Sequence, residues 1–124
     1  MPSNLFLSDR GASTCVNAIG NQLNSGFLDI YAGTQPADAN TATSGSNYIL
    51  AEFTFSSVAG AAVGSTWTTN PIAATTCTST GVASFYRAYT SSRATIMDGS
   101  VSTSGADFNL NTNNFRQGIK VTVT

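Results

Sequence analysis

Over residues 48–57 every second side chain is apolar on one face. Ile49, Ala51, Phe53 and Phe55 fall together, with Leu50, Glu52 and Thr54 opposite, the period-two pattern of a half-buried strand. The same period starts after Gly26, where Leu28 and Ile30 alternate with Asp29 and Tyr31 until Gly33-Thr34-Gln35-Pro36 breaks the run. Residues 82–90 place Phe85 and Tyr89 on one face and Tyr86 on the other, so this strand is expected to be covered on both sides and central in its sheet. Residues 94–102 form a further strand candidate, Phe108 with Leu110 mark a shorter one, and Ile119, Val121 and Val123 alternate with Lys120, Thr122 and Thr124. One segment follows a different period. In residues 9–24, Cys15, Val16, Ile19 and Leu23 recur at helical spacing and predict a short helix despite Gly11 and Gly20.

The segments between these runs carry turn chemistry. Residues 36–47, PADANTATSGSN, have no apolar period and predict an exposed loop open to solvent or a partner. Residues 56–81 are mostly Ala, Gly, Ser and Thr around Trp67, with Pro71 interrupting, and support one or two short strands. About seven or eight short strands separated by Gly, Asn and Ser turns predict a mainly β domain, an antiparallel β-sandwich or jelly roll with one short N-terminal helix. No internal repeat suggests a solenoid. The expected organisation is a single domain, 1–124, with an arm and helix over 1–25 and a β core over 26–124.

Composition fits this reading. Thr, Ser, Ala, Asn and Gly fill more than half of the 124 positions, only 9% of residues are charged, and 41% are hydrophobic. That balance is far from the low-hydrophobicity, high-charge recipe for disorder. Five basic and six acidic residues leave a formal net charge of -1. There is no basic field for nucleic acid or an anionic membrane, so neither is an expected partner. The opening residues, Met1 to Phe6, lack the basic and apolar regions of a signal peptide, and no apolar run approaches membrane-spanning length. A soluble protein made in a cytoplasm is therefore expected, with Cys15 and Cys77 as buried free thiols.

Candidate chemistry is sparse. The chain has no His, which removes Ser-His-Asp and Cys-His catalysis. Asp98 and Asp107 are the one carboxylate pair worth weighing for glycoside chemistry. Asp98-Gly99 also reads as a turn and Asp107 as a cap of local amides, and these structural roles are the stronger expectation. The cysteines show no metal or redox spacing, and residues 36–47 offer only Asp38 toward calcium, so no enzyme activity, cofactor or metal is expected. Trp67, Tyr31, Tyr48, Tyr86 and Tyr89 could stack on a sugar or line a protein contact, with the core the expected place for most of them. The candidate interface residues are Gln35, Pro36, Asp38, Asn40, Trp67, Asn70 and Pro71.

Two stretches, residues 28–36 (LDIYAGTQP) and 98–110 (DGSVSTSGADFNL), resemble a family of small virion structural proteins of tailed bacteriophages. The resemblance extends through 49–55, 83–87 and 119–123 and covers most of the chain from Asn17 onward. Ser91-Ser92-Arg93 departs from the family in lacking an Asp-Gly turn, and relatives run on past the position of Thr124 by another short strand. The resemblance implies a virion component, expected to be a capsid decoration or cement protein that binds the major capsid protein and other virion proteins. A neck, collar or tail component is the first alternative and a carbohydrate-binding adsorption module the second. The shortage of charge leaves little to oppose close contact, so a homo-oligomer is expected, a trimer before a dimer.

Overall fold

Helix α1 (Asp9–Asn21) begins where Ser8 turns its hydroxyl onto the backbone N–H of Gly11 at 3.1 Å, and Asp9 sits in the first turn, favourably placed against the helix dipole. The computed structural model describes residues 6–124, so the first five residues of the expected N-terminal arm lie outside the described part. The helix follows only part of its sequence pattern. Leu23, just past its end, is completely buried, whereas Cys15 and Ile19 are exposed, because the helix lies across the domain and is covered on one side only.

Eleven strands follow among the described residues: β1 (Phe27–Tyr31), β2 (Ile49–Thr54), β3 (Gly60–Val63), β4 (Thr66–Thr69), β5 (Thr75–Thr76), β6 (Gly81–Val82), β7 (Phe85–Tyr89), β8 (Thr95–Ser102), β9 (Phe108–Asn109), β10 (Asn114–Phe115) and β11 (Lys120–Val121). The fold is mainly β with one short helix near the N-terminus, as the periodicity predicts. Five strands form one sheet in the order β2-β1-β7-β8-β9. The aromatic strand β7 is its centre, as expected. Every ladder of this sheet is antiparallel except β8–β9, where a hook through Gly105 (φ 71°) brings Phe108 beside Val101 in the parallel sense. Asp107 holds the hook by accepting the Ser100 N–H at 3.0 Å.

The strand registers sort the side chains onto two faces. Leu28 is opposite Phe53 and Ala88, and Ile30 is opposite Ala51 and Tyr86. This inner face packs against Leu23 just past the helix, Ala59 just before β3, Cys77 just after β5, Leu110 just after β9, and Phe115 and Val121 of β10 and β11; three two-stranded ladders, β3–β4, β5–β11 and β6–β10, complete the domain. Val121 is fully buried and pairs opposite Thr75 in β5, so the last strand does join the core. Ile119, expected on the same face, is 39% exposed because Gly118 (φ 91°) turns the chain just before β11.

The other face departs from the simple alternation. Asp29 is 1% exposed and Tyr31 5%, although the sequence places them opposite the apolar positions of a half-buried strand. Residues 32–48 fold back over this face, closed by the Asn47 amide donating to the carbonyls of Ala32 and Thr34 and by an Asp38 turn that accepts the Asn40 and Thr41 N–H groups. Covered on both sides, the sheet buries polar residues, and these must find partners.

Candidate functional site

The outer face holds a charge network. Asp29, Glu52 and Arg87 occupy neighbouring positions on β1, β2 and β7, since Asp29 pairs with both of the others in register. Arg87 is 4% exposed and grips Asp98 with two hydrogen bonds, Nε to Oδ1 at 2.6 Å and Nη2 to Oδ2 at 2.8 Å, while Nη2 also donates to the carbonyl of Thr41 at 2.8 Å. The hydrogen bonds to Asp98 raise the Arg87 pKa further against the opposing effect of burial. Asp98 is therefore mid-strand in β8 and in a buried ion pair, not in the turn its Asp-Gly sequence predicts. The surrounding residues decide this: Tyr86 lies against Gly99 so closely that any side chain there would meet the ring, so the glycine serves close packing across strands.

Beside this pair, Asp29 and Glu52 face each other as like charges across β1 and β2. Arg93, from the β7–β8 turn, bridges them, donating to Asp29 Oδ2 at 3.1 Å and to Glu52. Its guanidinium carbon lies 4.0 Å from the Phe27 ring centroid and 5.5 Å from that of Tyr89, and its backbone takes φ 71°, a conformation that needs this surrounding support in a residue with a side chain. Burial, reinforced by the hydrogen bond and charge of Glu52, pushes the Asp29 pKa up to about 7 against the pull of Arg93. Burial also acts to raise the Glu52 pKa, but hydrogen bonds from Arg93 and Asp29 outweigh it and hold Glu52 below the usual carboxylate range. Asp29 Oδ1, which has no donor within reach, fits a carboxyl that keeps its proton and shares it with Glu52. A protonated acid beside an ionised one is the division of labour that acid-base catalysis uses. Here Asp29 is 1% exposed and both carboxylates are held by Arg93.

On the inner side, the edge of the core opens into a cleft of about 330 Å³ lined by Trp67, Thr68 and Thr69 of β4, Tyr86, Met97, Asp107, Phe108, Asn109 and the segment Val123-Thr124. Tyr86 and Phe108 meet edge to face at 4.8 Å. The Trp67 indole is fixed from behind by two glycines: a Cβ on Gly60 would be 2.7 Å from Cζ2, and one on Gly20 would be 2.9 Å from Cδ1 and closer still to Nε1. This close approach explains a glycine inside α1, where it costs about 1 kcal/mol relative to alanine. A second, apolar hollow on the far side of the indole is lined by Val16, Ile19, Gly20, Trp67 and Met97.

The structure does not gather the sequence-derived interface residues into one patch. Gln35, Asp38 and Asn40 are exposed and Pro36 is half-buried in the loop over the outer face, whereas Trp67 lines the cleft on the inner side. Asn70 and Pro71 are exposed nearby in sequence, with the Asn70 amide donating to the carbonyl of Val58 and the Pro71 carbonyl accepting from Ser56. Asp98 and Asp107 do not form a pair: one is bound to Arg87 and the other caps Ser100, the latter as the sequence predicts. Tyr31 and Tyr86 are core residues, while Tyr48 is 45% exposed. The network of Asp29, Glu52, Arg87 and Arg93 was missed in the sequence, where Asp29 and Glu52 fall opposite the apolar positions of half-buried strands and a charge is ordinary. Both thiols are free, with Cys77 buried and Cys15 exposed rather than buried as expected. Among the described residues no group of three His, Cys, Asp or Glu side chains could hold a metal ion, and no helix is long and apolar enough to cross a membrane. No family model, curated protein or solved structure matches the chain.

Proposed function

We propose that the chain is a virion structural protein of a tailed bacteriophage, a decoration or cement protein that seats on the major capsid protein and stabilises the head shell. One observation carries the step from structure to contact surface. Of five basic and six acidic residues, Asp29, Glu52, Arg87, Arg93 and Asp98 are tied to one another on a single sheet face. The other six charged residues, Asp9, Arg10, Asp38, Asp107, Arg116 and Lys120, are exposed and spread along the chain, and the surface between them is made of hydroxyls, amides and isolated apolar side chains such as Val58 (55% exposed), Val63 (85%) and Val82 (58%). Burying such a surface against neighbouring subunits carries little charge desolvation, and many modest contacts repeated over a lattice sum to firm attachment. The phage reading itself rests on the resemblance of residues 28–36 and 98–110.

In this proposal the chain works in the virion after synthesis in the host cytoplasm, as a homo-oligomer, trimer before dimer, without catalysis, cofactor, nucleic acid or membrane. Its architecture reads as a β-sandwich or jelly roll in which the three short ladders and α1 take the place of a second sheet. The loop residues Gln35, Pro36, Asp38 and Asn40, with Asn70 and Pro71, supply contacts to the shell. Quantitative gel densitometry of virions tests the placement. Hundreds of copies per particle are expected for a shell protein, whereas about 6, 12 or 18 would place it in the neck or tail, where symmetry is low-order cyclic. A purified protein that is strictly monomeric and does not bind assembled heads would remove the cement reading.

A further inference from the structure

We propose that the cleft between β4 and β9 is a binding site for a neutral hexopyranose, the end or a branch of a glycan, and this stands whether or not the chain is a virion component. The cleft volume, about 330 Å³, lies at the small end of small-molecule sites and suits one sugar ring. Its walls combine the two features that sugar recognition needs. Trp67 and Phe108 offer aromatic surface for the C–H face of a pyranose, and the backing of Trp67 by Gly20 and Gly60 fixes its plane before any ligand arrives.

Polar groups converge from the other side. The Tyr86 ring is only 4% exposed, yet its hydroxyl makes no hydrogen bond to another described residue and lies near Asp107, among the cleft-lining residues. The hydroxyl is thus the accessible polar tip of an otherwise buried ring, free to meet a ligand hydroxyl. Asp107 supplies an acceptor, and Asn109, whose Oδ1 already accepts the Ala106 N–H, presents its amide NH₂ as a donor. The lining contains one carboxylate and no Lys, Arg or His, which disfavours phosphates, sulfates and other anions, and a single acid is too few for a metal. Hydroxyl-rich, uncharged and flat on one side, a pyranose complements all of these groups together.

The chain has one Trp, so its indole fluorescence and its single indole N–H resonance both report on this cleft without labelling. Titration of the purified protein with the methyl α-glycosides of glucose, galactose, mannose and rhamnose is expected to give a saturable change for at least one of them, with a Kd of about 1 mM. Tyr86→Phe, which removes only the hydroxyl, is expected to weaken that binding about tenfold, while Phe27→Leu on the opposite sheet face leaves it unchanged. Circular dichroism melts of each variant show whether the fold is kept. The proposal is overturned if none of the four glycosides saturates up to about 100 mM, or if a folded Tyr86→Phe binds as tightly as the parent. Binding of apolar peptides in place of glycosides would likewise overturn it and assign the cleft to a protein partner.

Discussion

Replacing Gly20 by Ala adds one methyl group inside α1, and intrinsic helix propensity alone makes this stabilising by about 1 kcal/mol. The structure reverses that expectation. The new Cβ would fall 2.9 Å from Trp67 Cδ1 and closer to Nε1 and Cε2, three atoms of one rigid ring. The ring already lies hard against Gly60, where a Cβ would be 2.7 Å from Cζ2, so it has little room to give on that side. Overpacking of this kind costs about 1–3 kcal/mol, so with the propensity gain subtracted the net change is a destabilisation of about 0–2 kcal/mol. Removing the ring separates the two effects. In a Trp67→Ala background the same Gly20→Ala change should become stabilising by about 1 kcal/mol, giving a coupling of about 1–3 kcal/mol between the two sites. Urea unfolding of the four proteins of this double-mutant cycle, followed by circular dichroism, measures it directly. Equal effects of Gly20→Ala in both backgrounds would refute the claim that the glycine exists to seat the indole.

Four further outcomes follow from the buried charges, the last strand and the thiols. Asp29 holds its proton in the folded protein up to a pH of about 7, while an unfolded aspartate releases it near 3.8, so stability should decline as pH rises from about 4 through 7. Asp29→Asn should remove that slope in melts recorded across the range, and an unchanged slope would contradict the shared proton. Asp98→Asn leaves the Arg87 guanidinium buried without its counter-charge and should cost about 3–5 kcal/mol in urea unfolding; a loss below about 1 kcal/mol would show that the pair contributes little. Deleting residues 118–124 removes fully buried Val121, the partner of β5 and the Leu110–Val123 bridge, and should abolish cooperative melting; melting at the parent temperature would sink this. A thiol reagent should label Cys15 in the native protein and Cys77 only after unfolding, a difference that mass spectrometry resolves.

The apolar period was enough to place most of the large sheet. Residues 48–57, 82–90 and 94–102 carry β2, β7 and β8, and the two-sided aromatic pattern around Phe85 and Tyr86 correctly marks a central strand. What a period cannot contain is which strands become neighbours. Asp29, Glu52 and Arg87 look like separate solvent-facing positions until β1 is set between β2 and β7, and only then does one face hold three adjacent charges. The burial of that face depends on residues 32–48 folding back, and their polar composition reads as exposure whether or not the loop covers anything. Asp98-Gly99 misleads for a related reason: the dipeptide favours turns locally, but a tyrosine ring on the next strand and an arginine on the same face select the extended form. Trp67, Asp107 and Phe108 each stand out in the sequence, as a stacking candidate, a carboxylate and part of a short strand, but their sharing one cleft with Asn109 depends on a hook whose parallel return has no periodic signature.

The order of strands in the sheet also sets a clock. Phe27 pairs with Tyr89, so during synthesis at roughly 5–20 residues per second the first waits on the order of 3–12 s for the second to be made. Thr75 waits about 2–9 s for Val121 in the same way. Once β2 is also made, the β1–β2 pair presents Leu28, Ile30, Ala51 and Phe53 before Leu110, Phe115 and Val121 exist to help cover them, with the β7 side of β1 still an open edge. The nascent chain therefore carries an unpaired edge and an incompletely covered apolar face for seconds, long before any question of how stable the finished domain is.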